Sequence, residues 1–340
     1  MNLTRRTALG VLAATSALTA LPLAARAQNT AINVGVLRLT SHAPTFIAAA
    51  RGYFKDEGLD VTLSFFESAA ALSVGVAGGD VAYGMTAITG SLFNLAQKGA
   101  VKVIAGALSE DPNVPGAMIL ASNAAFDAGL TEPAKLGGHT FGITTAGSSF
   151  DYMLSQILAA ENIPMTEVTL KPLQKLPAVV GALSSGQIDA WVIQPSVGLK
   201  LLADNAAKKI GDYNKYDPDY QVTAVFTSTD VATNKRDQTE AYLRALAKGA
   251  DDYNAAFIDK TATPEQVAEL VEIVRVQVSP DVPLDKFTPS MTEGSQRISK
   301  GLNLSVKSLE RQLKFLQDNG LVDKAITVDM LVDPSYVTTT

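Results

Sequence analysis

His42 and His139 are the only imidazoles in this 340-residue chain, and cysteine is absent. Thiolate nucleophiles, iron–sulfur clusters, disulfides and cysteine metal sites are thereby excluded. A histidine-rich metal site falls with them, so no metal is expected. What remains for chemistry is hydroxyls, amides and a few charges. Four short runs stand out: Ser41-His42, Ser68-Ala69, Thr86-Ala87 and Gly147-Ser148-Ser149. A run of this kind can hold an oxyanion if it opens a helix. The first turn of a helix has free N–H groups and a partial positive charge, so no lysine is needed. No Gly-x-Ser-x-Gly elbow, P-loop or Gly-x-Gly-x-x-Gly after the first strand appears, so neither catalytic residues nor a cofactor are expected.

Each candidate has a plainer alternative. Gly147-Ser148-Ser149 is the strongest, because Ala146-Gly147 allows close approach and two hydroxyls follow; Ser148 or Ser149 could instead cap its own helix. Ser68 and Ala69 follow Glu67, which repels an anion unless it points away. Thr86 and Ala87 end a short strand and suit a pocket wall or an ordinary turn. His42 could donate to an anion or stack on a ring, or simply face solvent. His139, in a Gly-Gly-His-Thr turn, reads as a surface residue. Arg38 could grip a carboxylate or sulfonate with two N–H groups, or be a surface charge at a strand end. Gln194 offers both a donor and an acceptor beyond the strand holding Trp191, the single tryptophan, which reads as core. Phe150, Tyr152 and Phe226 could form an apolar wall or the core.

The elements that must position these residues alternate. Ile32–Leu37 reads as a strand, residues 43–56 as a helix opened by Pro44, and Leu59–Phe66 as a strand. A helix capped by Ser68, a strand at 81–85, a helix from Ser91 and a strand at 101–105 follow. The rhythm repeats through strands at 118–121, 140–143, 168–170 and 190–193, with helices at 149–162 and 177–184 between them. Beyond 226 the chain turns mostly helical, at 238–258, 264–274 and 305–319. Such β-α-β repetition implies an α/β fold with a mainly parallel sheet flanked by helices. The Gly79–Tyr83 run is echoed by Gly186–Ala190, as expected of two similar lobes. Loops 108–117 and 217–224 look like the crossings between them. In open parallel sheets ligands sit beyond the carboxyl ends of the strands, so two facing lobes make a cleft.

Composition agrees with a globular, soluble chain. Hydrophobic residues are 47% and charged residues 18%, and the net charge is −6, which speaks against a nucleic-acid partner. Residues 1–27 read as a cleaved export signal. Arg5-Arg6 precedes an apolar run from Ala8 to Leu23, and Ala25-Arg26-Ala27 offers a cleavage site after Ala27. The run is too short for a spanning helix. The arginine pair suits twin-arginine export, although Thr7-Ala8-Leu9 lacks the usual aromatic, so the general route stays open.

The run Pro44-Thr45-Phe46-Ile47-Ala48-Ala49-Ala50-Arg51-Gly52-Tyr53-Phe54-Lys55-Asp56-Glu57-Gly58-Leu59-Asp60-Val61 resembles a signature of solute-binding proteins of ABC importers, in the nitrate/sulfonate/taurine and thiamine-precursor group. Leu136–Gly142, Leu183–Ala190 and Thr229-Asp230-Val231 resemble later segments in order and spacing, over roughly residues 31 to 260. Ala82 departs from the family, which often has Asp there. The resemblance implies a two-lobed type II periplasmic-binding fold with a hinge. Residues 28–115 and 223–340 would form the first lobe and 116–222 the second. It implies a monomeric periplasmic protein that closes on a small-molecule ligand and delivers it to a permease with its ATPase. The enzyme branches of the group are expected to use a cysteine, which this chain lacks, so it reads as a binder. A small organic anion, sulfonate or carboxylate, is the expected ligand. A neutral heterocycle such as a pyrimidine precursor is the alternative, and presenting ligand to a sensor is a further possible role.

Overall fold

The computed structural model describes residues 29–340. The expected export signal, with its expected cleavage after Ala27, lies outside the described residues. Strand β1 (Thr30–Val36) buries Ile32, Val34 and Val36. Its β-branched residues suit a pleated, buried strand. A short turn leads to α1 (Ala43–Ala50), with Pro44 in its first turn. The single helix expected to Asp56 is broken in two. Gly52 adopts a left-handed conformation (φ 76°) and α2 (Tyr53–Asp56) starts afresh. Next come β2 (Leu59–Phe65) and α3 (Ala69–Gly78), the latter capped by Ser68, whose Oγ accepts from Ala71 N at 3.3 Å. Then follow β3 (Tyr83–Ala87), α4 (Gly90–Gln97) and β4 (Val101–Gly106).

The chain then crosses to a second sheet. In order it forms β5 (Met118–Ala121), α5 (Asn123–Asp127), β6 (Thr140–Ile143), α6 (Ser149–Ala160) and β7 (Thr169–Pro172). After these come α7 (Leu176–Ser184), β8 (Ala190–Ile193), α8 (Pro195–Ala203) and β9 (Lys208–Asp212). It returns in β10 (Thr223–Ser228) and ends in helices α9 (Thr229–Asn234), α10 (Arg236–Tyr253), α11 (Pro264–Val278), α12 (Leu284–Thr292), α13 (Val306–Asp318) and α14 (Val328–Leu331).

The two five-stranded sheets have matching topology, β2-β1-β3-β10-β4 and β7-β6-β8-β5-β9. In each, three strands pair in parallel and the strand that crossed over is inserted antiparallel. Four strands of each sheet therefore share one direction. The fifth enters from the opposite side because it arrives from the other lobe, where the carboxyl ends of its neighbours lie. The crossings touch as well. Ser109 and Gln221 form an isolated antiparallel bridge, and Glu110 N donates to Tyr220 O at 2.9 Å.

Trp191 is fully buried, with its ring edge-on to Phe150 at 5.3 Å, so it serves the core as expected. Helix α10 packs on α1, where a Cβ at Gly249 would fall 2.2 Å from Pro44 O. Helix α13 instead straddles the crossings. Ser308 Oγ accepts from Gln221 N at 2.8 Å, and the Phe315 ring lies 5.6 Å from Tyr152 on α6. Among the described residues no helix is long and apolar enough to cross a membrane.

Candidate functional site

The carboxyl ends of both sheets face each other across a cavity of about 70 Å³. Six helix starts contribute to its lining, three from each lobe. Ser41 and His42 precede α1, Ser68 and Ala69 open α3, and Thr89 caps α4. Ser148, Ser149 and Phe150 open α6, Leu176 opens α7, and Gln194 precedes α8. This convergence follows from the topology: each parallel strand passes into a helix at its carboxyl end, and the helix N-terminus stays at that end. Their N–H groups and dipoles give the cavity a positive bias. Among the described residues no lysine or arginine lines it. The walls are apolar, among them Leu37, Leu108, Met153, Ile193 and Val222.

Nine of the eleven residues singled out from the sequence line this one cavity: Ser41, His42, Ser68, Ala69, Thr86, Ala87, Ser148, Ser149 and Gln194. Ser148 holds the N-cap position of α6 without a side-chain capping bond, and its buried Oγ has no partner. The capping alternative is therefore not what this hydroxyl does. Ser68 does cap its helix. Glu67 points away from the cavity, its carboxylate paired with Lys175.

Two of the eleven lie elsewhere. Arg38 borders a separate outer cavity of about 640 Å³. Its guanidinium stacks 4.0 Å over the Phe65 ring and donates to Gln277 O. The cation–π contact and the carbonyl hold it away from the inner cavity. Gly147 shapes the loop rather than the wall. Its φ is 70°, its N–H donates to Asp151 Oδ2 at 2.9 Å, and its carbonyl accepts from Gly90 N at 2.9 Å. His139 is partly exposed, 3.4 Å from Asp189.

His42 is fully enclosed, and burial lowers its pKa to about 3, so the imidazole is neutral. Its Nδ1 has no partner, and its ring stacks toward Phe46. The other titratable lining residue is Glu110, which sequence reasoning passed over. It is 4% exposed, and burial pushes it up to about 7. Its Oε1 accepts from Ala117 N (3.1 Å) and Gln296 Nε2 (2.9 Å), while Oε2 has no partner. Gln296, Thr144 and Thr223 also line the cavity unforeseen. Glu110 and Gln296 are 186 positions apart, so no local pattern joins them.

The lobes are held together over the cavity. Thr40 Oγ1 and Ser196 Oγ lie 2.6 Å apart, and Gln194 Nε2 donates to both, at 3.1 and 3.0 Å. Leu176 N donates to Glu67 O at 3.2 Å. Leu39, Leu176 and Gln194 line both cavities and form the wall between them.

A family model described as NMT1/THI5 like matches residues 39–256. No curated protein sequence matches the chain. Among solved structures, the alkanesulfonate-binding protein SsuA from Xanthomonas axonopodis pv. citri bound to MOPS is similar at 17% identity and TM-score 0.72, covering 90% of this chain and 99% of that one. The periplasmic nitrate-binding protein NrtA from Synechocystis PCC 6803 is 16% identical with TM-score 0.63, over 80% and 74% of the two chains. The desulfurization enzyme DSZB is 13% identical with TM-score 0.60, over 91% and 97%. At these identities the likeness is one of fold, which hosts both binders and an enzyme.

Proposed function

Because the chain belongs to the NMT1/THI5-like family, we propose that it is an extracytoplasmic solute-binding protein that captures a small organic anion between its lobes. The observation that carries this reading is the convergence of six helix starts on one cavity that, among the described residues, no lysine or arginine lines. N–H groups and hydroxyls there suit a single sulfonate or carboxylate head, and the apolar walls suit a short carbon body. A multiply charged phosphate ester would find too little positive charge.

Residues 28–115 and 223–340 would move as one lobe and 116–222 as the other, turning about the paired crossings. Ligand touching both lobes stabilises the closed form, and that form docks on an ABC permease with its ATPase. The protein would work as a monomer in the periplasm after removal of residues 1–27. We read it as a binder and not an enzyme, since the chain has no cysteine and its enclosed histidine is neutral.

A neutral heterocycle such as a pyrimidine precursor is the second reading, favoured by the free carboxyl oxygen of Glu110, which could accept from a ring amine. A sensory role would use the same site. Thermal unfolding of residues 28–340 against sulfonates, taurine, nitrate, mono- and dicarboxylates and pyrimidines tests the ligand class. A ligand at 100 times its Kd adds about 2.7 kcal/mol and raises Tm by several degrees. Shifts confined to heterocycles would replace the anion reading.

A further inference from the structure

We propose that Glu110 couples ligand capture to the uptake of one proton, so that the site holds its anion only while this carboxyl is neutral. The proposal rests on the anion reading above and goes beyond it. Glu110 sits on the first crossing, between β4 and β5, among the residues lining the cavity between the sheets. Its Oε1 is already occupied by two donors, the Ala117 N–H and the Gln296 amide. Its Oε2 is buried without a partner and packs against Gly116, where an added Cβ would lie 2.8 Å away. An oxygen in that position either carries a proton or bears an uncompensated charge.

Among the described residues no cation is bonded to it: Arg297, next to Gln296, is paired with Asp111 and Asp259 instead. Helix dipoles favour one negative charge in the cavity, and the ligand supplies it. A second, ionised beside it, would face like-charge repulsion between largely apolar walls, the situation in which one of two acids keeps its proton. The surrounding titratable groups add to this. Asp212 and Asp217 raise the pKa of Glu110 further, although Asp217 is itself bonded to Arg311 and Tyr152. The Tyr213 and Tyr220 phenols are buried and uncharged, and His42, in the same lining, is neutral. With Glu110 pushed up to about 7, the carboxyl is poised between its two protonation states near neutral pH before any anion binds.

The test is titration calorimetry of the purified protein with ethanesulfonate and with butyrate, at pH 6 and pH 8, in buffers of different ionisation enthalpy. Wild type should take up about one proton per ligand at pH 8 and bind about tenfold more weakly there than at pH 6. Glu110→Gln, which mimics the protonated acid, should bind equally at both pH values without proton uptake. Anion binding at pH 8 with no proton uptake by wild type overturns the proposal alone and leaves the anion reading intact. So does a tenfold pH dependence that survives in Glu110→Gln. Failure of both anions at both pH values, with 4-aminopyrimidine bound by wild type and lost in Glu110→Gln, overturns the anion reading and the proposal with it.

Discussion

Replacing Thr40 by Val removes one hydroxyl from the bond network that spans the lobes and leaves the side-chain shape nearly unchanged. Thr40 and Ser196 are each 4% exposed, so their 2.6 Å contact is shielded from water. The substitution deletes that bond and the one from Gln194. Gln194 Nε2 still donates to Ser196 Oγ at 3.0 Å, so the amide keeps an acceptor. Each net hydrogen bond contributes about 0.5–1.5 kcal/mol, so the closed form should lose about 1–3 kcal/mol. The open form loses nothing, because there water replaces both bonds. Ligand affinity, which draws on closure, should fall by roughly 5- to 150-fold. Calorimetry with the ligand found in the thermal panel measures this. A double-mutant cycle with Ser196→Ala then isolates the pair, and the two losses should be non-additive by about 0.5 kcal/mol or more. Unchanged affinity in Thr40→Val, or strict additivity in the cycle, would refute the idea that this contact holds the lobes shut.

Three further outcomes are expected. The double variant Ser148→Ala/Ser149→Ala should bind at least about tenfold more weakly with a native far-UV spectrum, because it strips both hydroxyls from the start of α6; intact affinity would remove that helix start from the site. Arg38→Ala should keep ligand affinity within about twofold, since the guanidinium is committed to Phe65 and Gln277 outside the inner cavity; a tenfold loss would put it in contact with ligand. His42 has its folded pKa lowered from 6.5 to about 3, so between those values the unfolded chain binds a proton that the native one does not. Stability is therefore lost as pH falls through that window, and urea unfolding should show wild type losing about 2 kcal/mol more than His42→Asn between pH 7 and pH 5. Equal losses would mean that His42 takes up its proton without unfolding.

Local chemistry was legible in the sequence, because local chemistry depends on neighbours in the chain. The β-α alternation, the Ser68 cap and the buried Trp191 all follow from a few adjacent residues. Much of the cavity lining was readable for the same reason. Helix starts follow strand ends directly, so nine candidates could be named from short runs. Some elements were not legible. Helix α8 begins at Pro195, which reads as a strand terminator, and β9 is the polar run Lys208–Asp212, with little to mark it as a strand.

What only the tertiary structure decided depends on residues far apart in the chain. Arg38 looks like an anion clamp by type, but Phe65 and the Gln277 carbonyl, 239 positions away, capture it first. Glu110 looks like an ordinary acid in a loop. Among the described residues it becomes the one carboxyl lining the cavity, because the crossing segment carries it inward and Gln296 fastens it there. Residue type and spacing state which interactions a side chain can make. Burial and the partner brought across the fold determine which of them it makes, and in what state of charge.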